Sequence, residues 1–502
     1  VTAHLSGREL EAYLWGAANL LRGLMDAGDY KQFIFPLLFF KRLSDVWDED
    51  YQVALSEIGN EGYAEETAND RFRIPPGAHW ADIRNTARNV GRALRRAFDA
   101  LEQANPGQLS GIFGNAAWTD KAQMPDATLK NLVEHFSQHT LSLANVPEDE
   151  LGDSYEYLIK EFADDSGNTA QEFYTNRTLV HLMAQMLRPK PGETIYDPTC
   201  GTGGMLISCL SEVKRGGGDT RTMRLYGQES IHITSSIARM NLVLHGIEDF
   251  QIALGDTLSN PIFIEQDKLQ TFDVVLANPP YSIDQWNREA WQADAWGRNF
   301  LGVPPQGRAD YAFFQHILKS LNPKTGRCAV LFPHGVLFRK AEAAMRRKLI
   351  ESDLLECVLG LGPNLFYNAS MEACVVVCRA RKPVARRGKI LFIDAVREVA
   401  RERAQSFLRP EHQARILAAY RRFAPESGFA AVTTAKEALA RGGNLSVHHY
   451  VSRATGGDSS EDSVSLAKAW AALEEGSGPF WGEMDELAKI LDGAVAGEAG
   501  DA

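Results

Sequence analysis

The chain has 502 residues, of which 44% are hydrophobic and 24% charged. That composition is globular, long enough for two or three domains with a sizeable core, and it excludes a fibrous or wholly disordered protein. The net charge of −12 argues against a stand-alone nucleic-acid binder, although the stretch from Asp458 to Asp501 carries −9 of it and leaves −3 elsewhere.

Residues 1–165 read as a helical N-terminal domain. Leu10, Leu14, Ala17, Ala18 and Leu21 recur at helical spacing, and the apolar run Phe33–Phe40 leads into Lys41-Arg42-Leu43. Asn105-Pro106-Gly107 and Asn145-Val146-Pro147 punctuate it as turns. The N-terminus opens on polar residues with no apolar signal core, and no segment approaches the length of a membrane span. The expectation is a soluble, cytoplasmic protein with no membrane partner. The six cysteines form no C-x-x-C pair, and most lie in apolar runs such as Ala373–Cys378, so reduced, buried thiols are expected.

Residues 166–395 have a different texture. Short β-rich runs at Thr194–Tyr196, Arg224–Gly227, Phe250–Leu254, Phe272–Ala277 and Cys328–Phe332 are separated by amphipathic stretches such as Ile231–His245 and Tyr311–Leu321. Strands alternating with helices require an α/β fold, a parallel sheet covered on both faces. Two further strands, near Leu354–Gly360 and Ala373–Arg379, are expected to close the sheet with an antiparallel edge. Residues 396–502 read as a C-terminal helical extension. It contains the Arg-rich stretch Arg397–Arg422, a linker at Gly456–Asp462, and an acidic tail whose last residues, Ala494–Ala502, are expected to be disordered.

Four strand ends carry chemistry. The first is Asp197-Pro198-Thr199-Cys200-Gly201-Thr202-Gly203-Gly204, between a strand and a helix. Glycines there let backbone approach a ligand, the helix start offers free N–H groups, and Asp197 can accept from a cationic amine. A competing phosphate-binding reading lacks the Lys-Ser/Thr of a P-loop. At the next strand end Glu229 can grip both hydroxyls of a ribose, or be merely solvated. At the third, Asp256 can meet an adenine amine, or simply make a turn. The fourth, Asn278-Pro279-Pro280-Tyr281, is the most specific. The lone pair of an aromatic amine is delocalised into its ring. Two acceptors on its hydrogens, the Asn278 side-chain carbonyl and the Pro279 backbone carbonyl, draw the nitrogen toward tetrahedral geometry and free that pair. Two prolines keep the acceptors aimed, and Tyr281 offers a face on which a base swung out of a duplex can stack.

These motifs, in this order, resemble the amino-methyltransferase fold, and the whole chain resembles the modification subunits of type I restriction–modification systems. The likeness begins at Leu14–Ala18, continues through Asp29-Tyr30 and Phe35–Asp45, and resumes at Glu172-Phe173-Tyr174-Thr175-Asn176-Arg177 to run to about residue 395. It implies a Rossmann-like S-adenosylmethionine-dependent methyltransferase sheet. Glu172–Arg177 would fold over the methionine end of the cofactor, and Asn176 stands where the family usually has Pro. Asp197, Gly201, Thr202, Gly203 and Gly204 would line the cofactor, Glu229 would hold the ribose, and Asp256 would meet the cofactor adenine. Asn278–Tyr281 match the family's catalytic tetrapeptide without departure. The activity implied is transfer of a methyl group from S-adenosyl-L-methionine to the N6 amine of a flipped-out adenine in double-stranded DNA. It requires no metal, because the sulfonium is already activated. No base-reading module follows the catalytic half. The resemblance therefore implies a separate DNA specificity subunit, a second copy of this chain and, in a restricting form, a motor-nuclease subunit. Glu411–Phe423 or the N-terminal domain would be the docking surface. Methylation of a protein glutamine amide, or a non-catalytic scaffold in a defence complex, are the alternatives.

Overall fold

The computed structural model describes residues 4–165, 175–281, 283–363, 365, 372–402 and 405–452. The linker and tail expected past residue 456 lie outside these residues.

Seven helices build the N-terminal region, and the one at its centre, Lys31–Ile58, is enclosed nearly all round from Phe33 to Val46. Pro36 lies inside that helix, one turn past its start, so the bond its N–H would have given the Gln32 carbonyl is missing. The charged cluster that follows is buried rather than solvated. Lys41 pairs with Asp45, and Arg42 donates to the carbonyls of Leu141, Ser142 and Val146 at 2.6, 3.0 and 2.7 Å. Asp45 accepts from the Leu141 N–H at 2.6 Å. These bonds replace the hydration that burial strips away, and they pin the segment leading into the helix Glu148–Asp165.

The strands run β1 (Thr194–Asp197), β2 (Arg224–Glu229), β3 (Phe250–Leu254), β4 (Ile264–Glu265), β5 (Lys268–Leu269), β6 (Val274–Ala277), β7 (Arg327–Pro333), β8 (Leu355–Leu361), β9 (Ala373–Arg379), β10 (Lys389–Ala395), β11 (Ala400–Glu402), β12 (Gln405–Phe407) and β13 (Ala430–Thr434). Nine of them form one sheet in the order β13-β10-β8-β9-β7-β6-β1-β2-β3, while β4-β5 and β11-β12 are separate small hairpins. Within the nine-stranded sheet β9 is antiparallel to both β7 and β8, β13 is antiparallel to β10, and the other pairings are parallel.

Two features depart from the sequence reading. The antiparallel strand Ala373–Arg379 is not an edge: it is inserted between β7 and β8, and its alternate residues are buried on both faces. The region past residue 395 is not wholly helical either. Ala430–Thr434 is a sheet strand, and it joins the helix Pro410–Arg422 in packing against the sheet. Val432, Thr433 and Thr434 are β-branched and favour a strand, and pairing with β10 fixes it. The Arg-rich stretch divides: Ala400–Glu402 pairs with Gln405–Phe407 as a hairpin, and on the helix Pro410–Arg422 Arg415 pairs with Glu398 and Glu426, and Arg422 with Glu426.

Arg177–Leu187, Gly204–Arg215 and Pro410–Arg422 cover one face of the sheet, and Asp310–Lys319, Ala343–Glu351 and Ala435–Ala440 the other. The helix His232–Leu244 joins the two halves, because Ile237, Met240 and Leu244 enter the N-terminal core. All six cysteines are free and buried. No helix among the described residues is long and apolar enough to cross a membrane.

Candidate active site

The chain leaves β1 toward β2 and β3 on one side and later builds outward from β6 on the other. A crevice therefore opens at the carboxyl ends of neighbouring β1 and β6, where ligands of such sheets bind. Asp197 ends β1, and Asn278 follows β6.

After Asp197 the backbone turns sharply into the helix Gly204–Arg215, with Gly201 and Gly203 at φ 53° and 84°, a region a side chain would strain. Three N–H groups fasten the turn: Cys200 to the Gln228 carbonyl at 3.0 Å, Gly201 to Glu229 Oε2 at 3.0 Å, and Gly203 to the Cys200 carbonyl at 2.8 Å. The Asp197 carboxyl is buried beneath, accepting from the Thr199 N–H at 3.0 Å. Burial pushes its pKa up to about 7; the Thr199 N–H pulls the other way, and the Glu229 charge adds to the rise.

Glu229 holds the turn from the β2 end. Its Oε1 accepts from the Ile231 N–H at 2.9 Å while Oε2 takes the Gly201 N–H, and burial raises its pKa. Oε1 also takes the Ser230 hydroxyl at 3.4 Å, and Oε2 keeps a second lone pair for a hydroxyl. Asp256 is exposed and turned into its own loop, accepting from the Leu258 N–H at 3.0 Å and the Ser259 hydroxyl at 2.6 Å. It lines the cavity described below, but its carboxylate is engaged in making the turn.

In the tetrapeptide, Pro279 is buried and Asn278, Pro280 and Tyr281 are half-buried. Asn278 is held at both ends: Nδ2 donates to Thr175 Oγ1 at 2.9 Å, and Oδ1 accepts from the Tyr281 hydroxyl at 2.6 Å. Tyr281 was expected to serve as a stacking face. Its hydroxyl also aims the Asn278 oxygen, a role the motif does not disclose. Thr175 and Asn176 precede the helix Arg177–Leu187, with Asn176 capping it by accepting from the Thr178 N–H at 3.0 Å. Arg177 pairs with Glu156. Glu172, Phe173 and Tyr174 lie outside the described residues.

Two cavities meet at Asn278. The first, with about 530 Å³ of free space, is lined by Glu156, Arg177, Asp197 and the turn from Thr199 to Gly204. The second, with about 870 Å³, is lined by Glu229, Ile231, Asp256, Pro280, Trp286 and Phe313. Thr199, Gly201 and Asn278 border both. This donor set fits S-adenosylmethionine. The first cavity holds both signs of charge for an amino-acid end, the second has a strand-end carboxylate for a ribose beside apolar walls for a purine, and an amide oxygen stands where they join.

Several of these residues escaped the sequence reading. Glu156 interrupts the inward stripe Gly152, Ile159, Ala163 of its helix, and a charge at such a position was the available signal. Arg298 had no local signal. It is buried, pairs with Asp294 at 2.6 Å, donates to the Thr257 and Leu258 carbonyls at 2.9 and 2.8 Å, and lies over Trp291 and Trp296. It thereby ties the segment after Tyr281 to the Asp256 turn.

The sheet and its bipartite strand-end crevice define an S-adenosylmethionine-dependent methyltransferase fold. Residues 146–458 match the N-6 DNA methylase family and residues 10–136 match the HsdM N-terminal domain. The chain belongs to the N-6 DNA methylase family, the DNA methyltransferases of which type I methylase subunits are members. It is 28% identical over 480 residues to the type I restriction enzyme MjaIX methylase subunit of Methanocaldococcus jannaschii, covering 88% of this chain and 84% of that one. It is 32% identical over 320 residues to the HindI methylase subunit of Haemophilus influenzae, 61% of this chain and 68% of the relative. The crystal structure of a type I restriction-modification methyltransferase subunit from Streptococcus thermophilus superimposes with a TM-score of 0.78 at 28% identity, covering 89% of this chain and all of that one. The helix Glu148–Asp165 lies within the methylase match, although its apolar face packs in the N-terminal core.

Proposed function

We propose that this chain is the modification subunit of a type I restriction–modification complex and methylates the N6 amine of adenine in double-stranded DNA. The observation that carries this reading is the position of Asn278 at the meeting point of the two cavities, its amide oriented from both sides by Thr175 and Tyr281.

S-adenosyl-L-methionine, when bound, supplies an activated methyl group. Asp197 and Glu229 are placed for its amine and its ribose. Asn278 Oδ1 and the Pro279 carbonyl accept the two hydrogens of the target amine, which directs the nitrogen lone pair toward the crevice. The acceptors are set before the base arrives, so little reorganisation is needed. Pro280 and the ring of Tyr281 form the wall against a flipped base.

The likeness to methylase subunits of type I restriction enzymes supports a separate DNA specificity subunit that supplies the target sequence. Two copies of this chain serve one complex, and a motor-nuclease subunit joins its restricting form. Residues 1–165, 166–395 and 396–502 act respectively as helical, catalytic and docking regions, in the cytoplasm. The test is to sequence modified bases in DNA from cells with and without the protein. N6-methyladenine at one recognition sequence, dependent on the chain and on Asn278, is the expected result. Methylation on a protein glutamine instead would overturn the DNA reading.

A further inference from the structure

The first cavity contains a charge arrangement that the strand-end motifs leave unexplained. Glu156 is buried on the helix Glu148–Asp165 and reaches the start of the helix Gly204–Arg215, where a Cβ added at Gly204 would lie 3.6 Å from its Oε1. A carboxylate at a helix N-terminus is favoured by the dipole there. Its Oε1 accepts from Asn241 Nδ2 at 3.3 Å, and that same amide donates to the Thr202 carbonyl at 2.9 Å within the Gly-rich turn. Arg177 pairs with Glu156, and burial brings the guanidinium pKa down to about 10, still fully charged at neutral pH. His245 stands 4.0 Å from the same carboxylate, and burial lowers its pKa, which disfavours a charge on the ring. Glu156, Arg177 and Asp197 therefore face one cavity with two carboxyl groups and one cation.

A pair of opposite charges out of water is stable only while each keeps a partner. Asp153 also acts on Arg177 but is exposed and lies outside the cavity lining, so within the cavity a ligand with a single charge would satisfy one member and leave the other without a partner there. A zwitterion exchanges one ion pair for two, leaving no charge unpaired. We propose, on the cofactor reading above, that Glu156 completes the receptor for the amino-acid end of S-adenosylmethionine, joining Asp197 on the α-ammonium while Arg177, which the resemblance already sets at that end of the cofactor, takes the α-carboxylate. The ammonium has three N–H donors, enough for both carboxylates. The helix preceding the sheet is then part of the methyl-donor site, and the Asn241 bridge transmits its position to the turn.

Titration calorimetry on the full chain tests this with three probes: S-adenosylmethionine, decarboxylated S-adenosylmethionine, and 5′-methylthioadenosine, which keeps the adenosine but lacks the amino-acid end. Glu156→Gln should weaken S-adenosylmethionine at least about tenfold, the loss of one charged hydrogen bond, and leave methylthioadenosine within about twofold. Arg177→Gln should abolish the preference of the wild type for S-adenosylmethionine over its decarboxylated form. Parallel losses for S-adenosylmethionine and methylthioadenosine, or none for either, would make the pair a packing contact and overturn the proposal. Should Glu156→Gln fail to fold, the wild-type preference decides: equal affinity for S-adenosylmethionine and its decarboxylated form overturns the proposal equally. Wild-type protein that binds none of the three probes overturns the cofactor reading itself, and this proposal with it.

Discussion

The hydroxyl of Tyr281 donates to Asn278 Oδ1 at 2.6 Å, so one residue of the Asn278–Tyr281 tetrapeptide holds the side-chain oxygen of another. The Asn278 amide would otherwise rotate about its last torsion; the Thr175 and Tyr281 bonds select the orientation with oxygen toward Tyr281 and nitrogen toward Thr175. The oxygen has a second lone pair, so it can receive the target amine while keeping the phenol.

Tyr281→Phe therefore keeps the stacking ring but loses the hold on Asn278. Single-turnover methylation by the assembled complex should slow by about three- to tenfold, as expected for one neutral hydrogen bond. Tyr281→Ala should slow it considerably more, because the ring is lost as well. Equal rates for the two variants would show that the hydroxyl alone matters.

Asn278→Ala should leave cofactor affinity nearly unchanged and abolish transfer. The residue borders both cavities, but its polar atoms face Thr175 and Tyr281, not the Gly-rich turn. Calorimetry that finds cofactor binding lost together with activity would contradict the assigned role.

Asp197 makes binding pH-dependent. Its pKa is pushed from 3.8 up to about 7 in the folded chain, chiefly by burial. Between those values the folded state holds a proton that the unfolded state has released, so this group's contribution to stability falls as pH rises through about 7. Cofactor affinity should run the opposite way, because a cationic amine selects the ionised carboxylate. Affinity should strengthen from about pH 6 to about pH 8, with proton uptake by buffer visible in calorimetry using buffers of different ionisation enthalpy. Asp197→Asn should weaken binding and flatten that slope; a slope that survives the substitution would assign it to Glu229.

Arg298 is the clasp between the segment after Tyr281 and the turn at Asp256. Arg298→Ala leaves buried Asp294 without its cation, and such a loss costs about 3–5 kcal/mol. Thermal melting should shift markedly downward, and methylthioadenosine affinity should fall, since the clasp shapes the cavity wall around Thr257 and Leu258. A variant with an unchanged melting curve would mean the clasp is dispensable.

Much of the sheet could be read from the residues themselves. Phe250–Leu254 and Ala373–Arg379 appear as strands within the predicted bounds, and the helices near Ile231–His245 and Tyr311–Leu321 differ from them by one or two residues at their ends. Ala373–Arg379 is a continuous apolar run because it is buried on both faces, whereas Phe250–Leu254, a part-exposed edge strand, declares itself by its aromatic and β-branched residues. Asp197, Glu229 and Asn278 were legible for a related reason. Each ends a strand at the same rim of a parallel sheet, so chain order alone brings them together.

What depended on the tertiary structure was partnership at long range. Glu156 and Arg177 lie on different helices, and Arg298 closes a segment 40 residues from the carbonyls it holds, Leu258 among them. The insertion of β9 between β7 and β8, and the recruitment of Ala430–Thr434 to the far edge, were likewise settled by which neighbours offered unpaired backbone. The chain's own residues determined which segments become strands and which chemistry sits at their ends. Burial decided the rest, since a hydrogen bond or charge pair formed away from water takes its value from a partner that local sequence does not name.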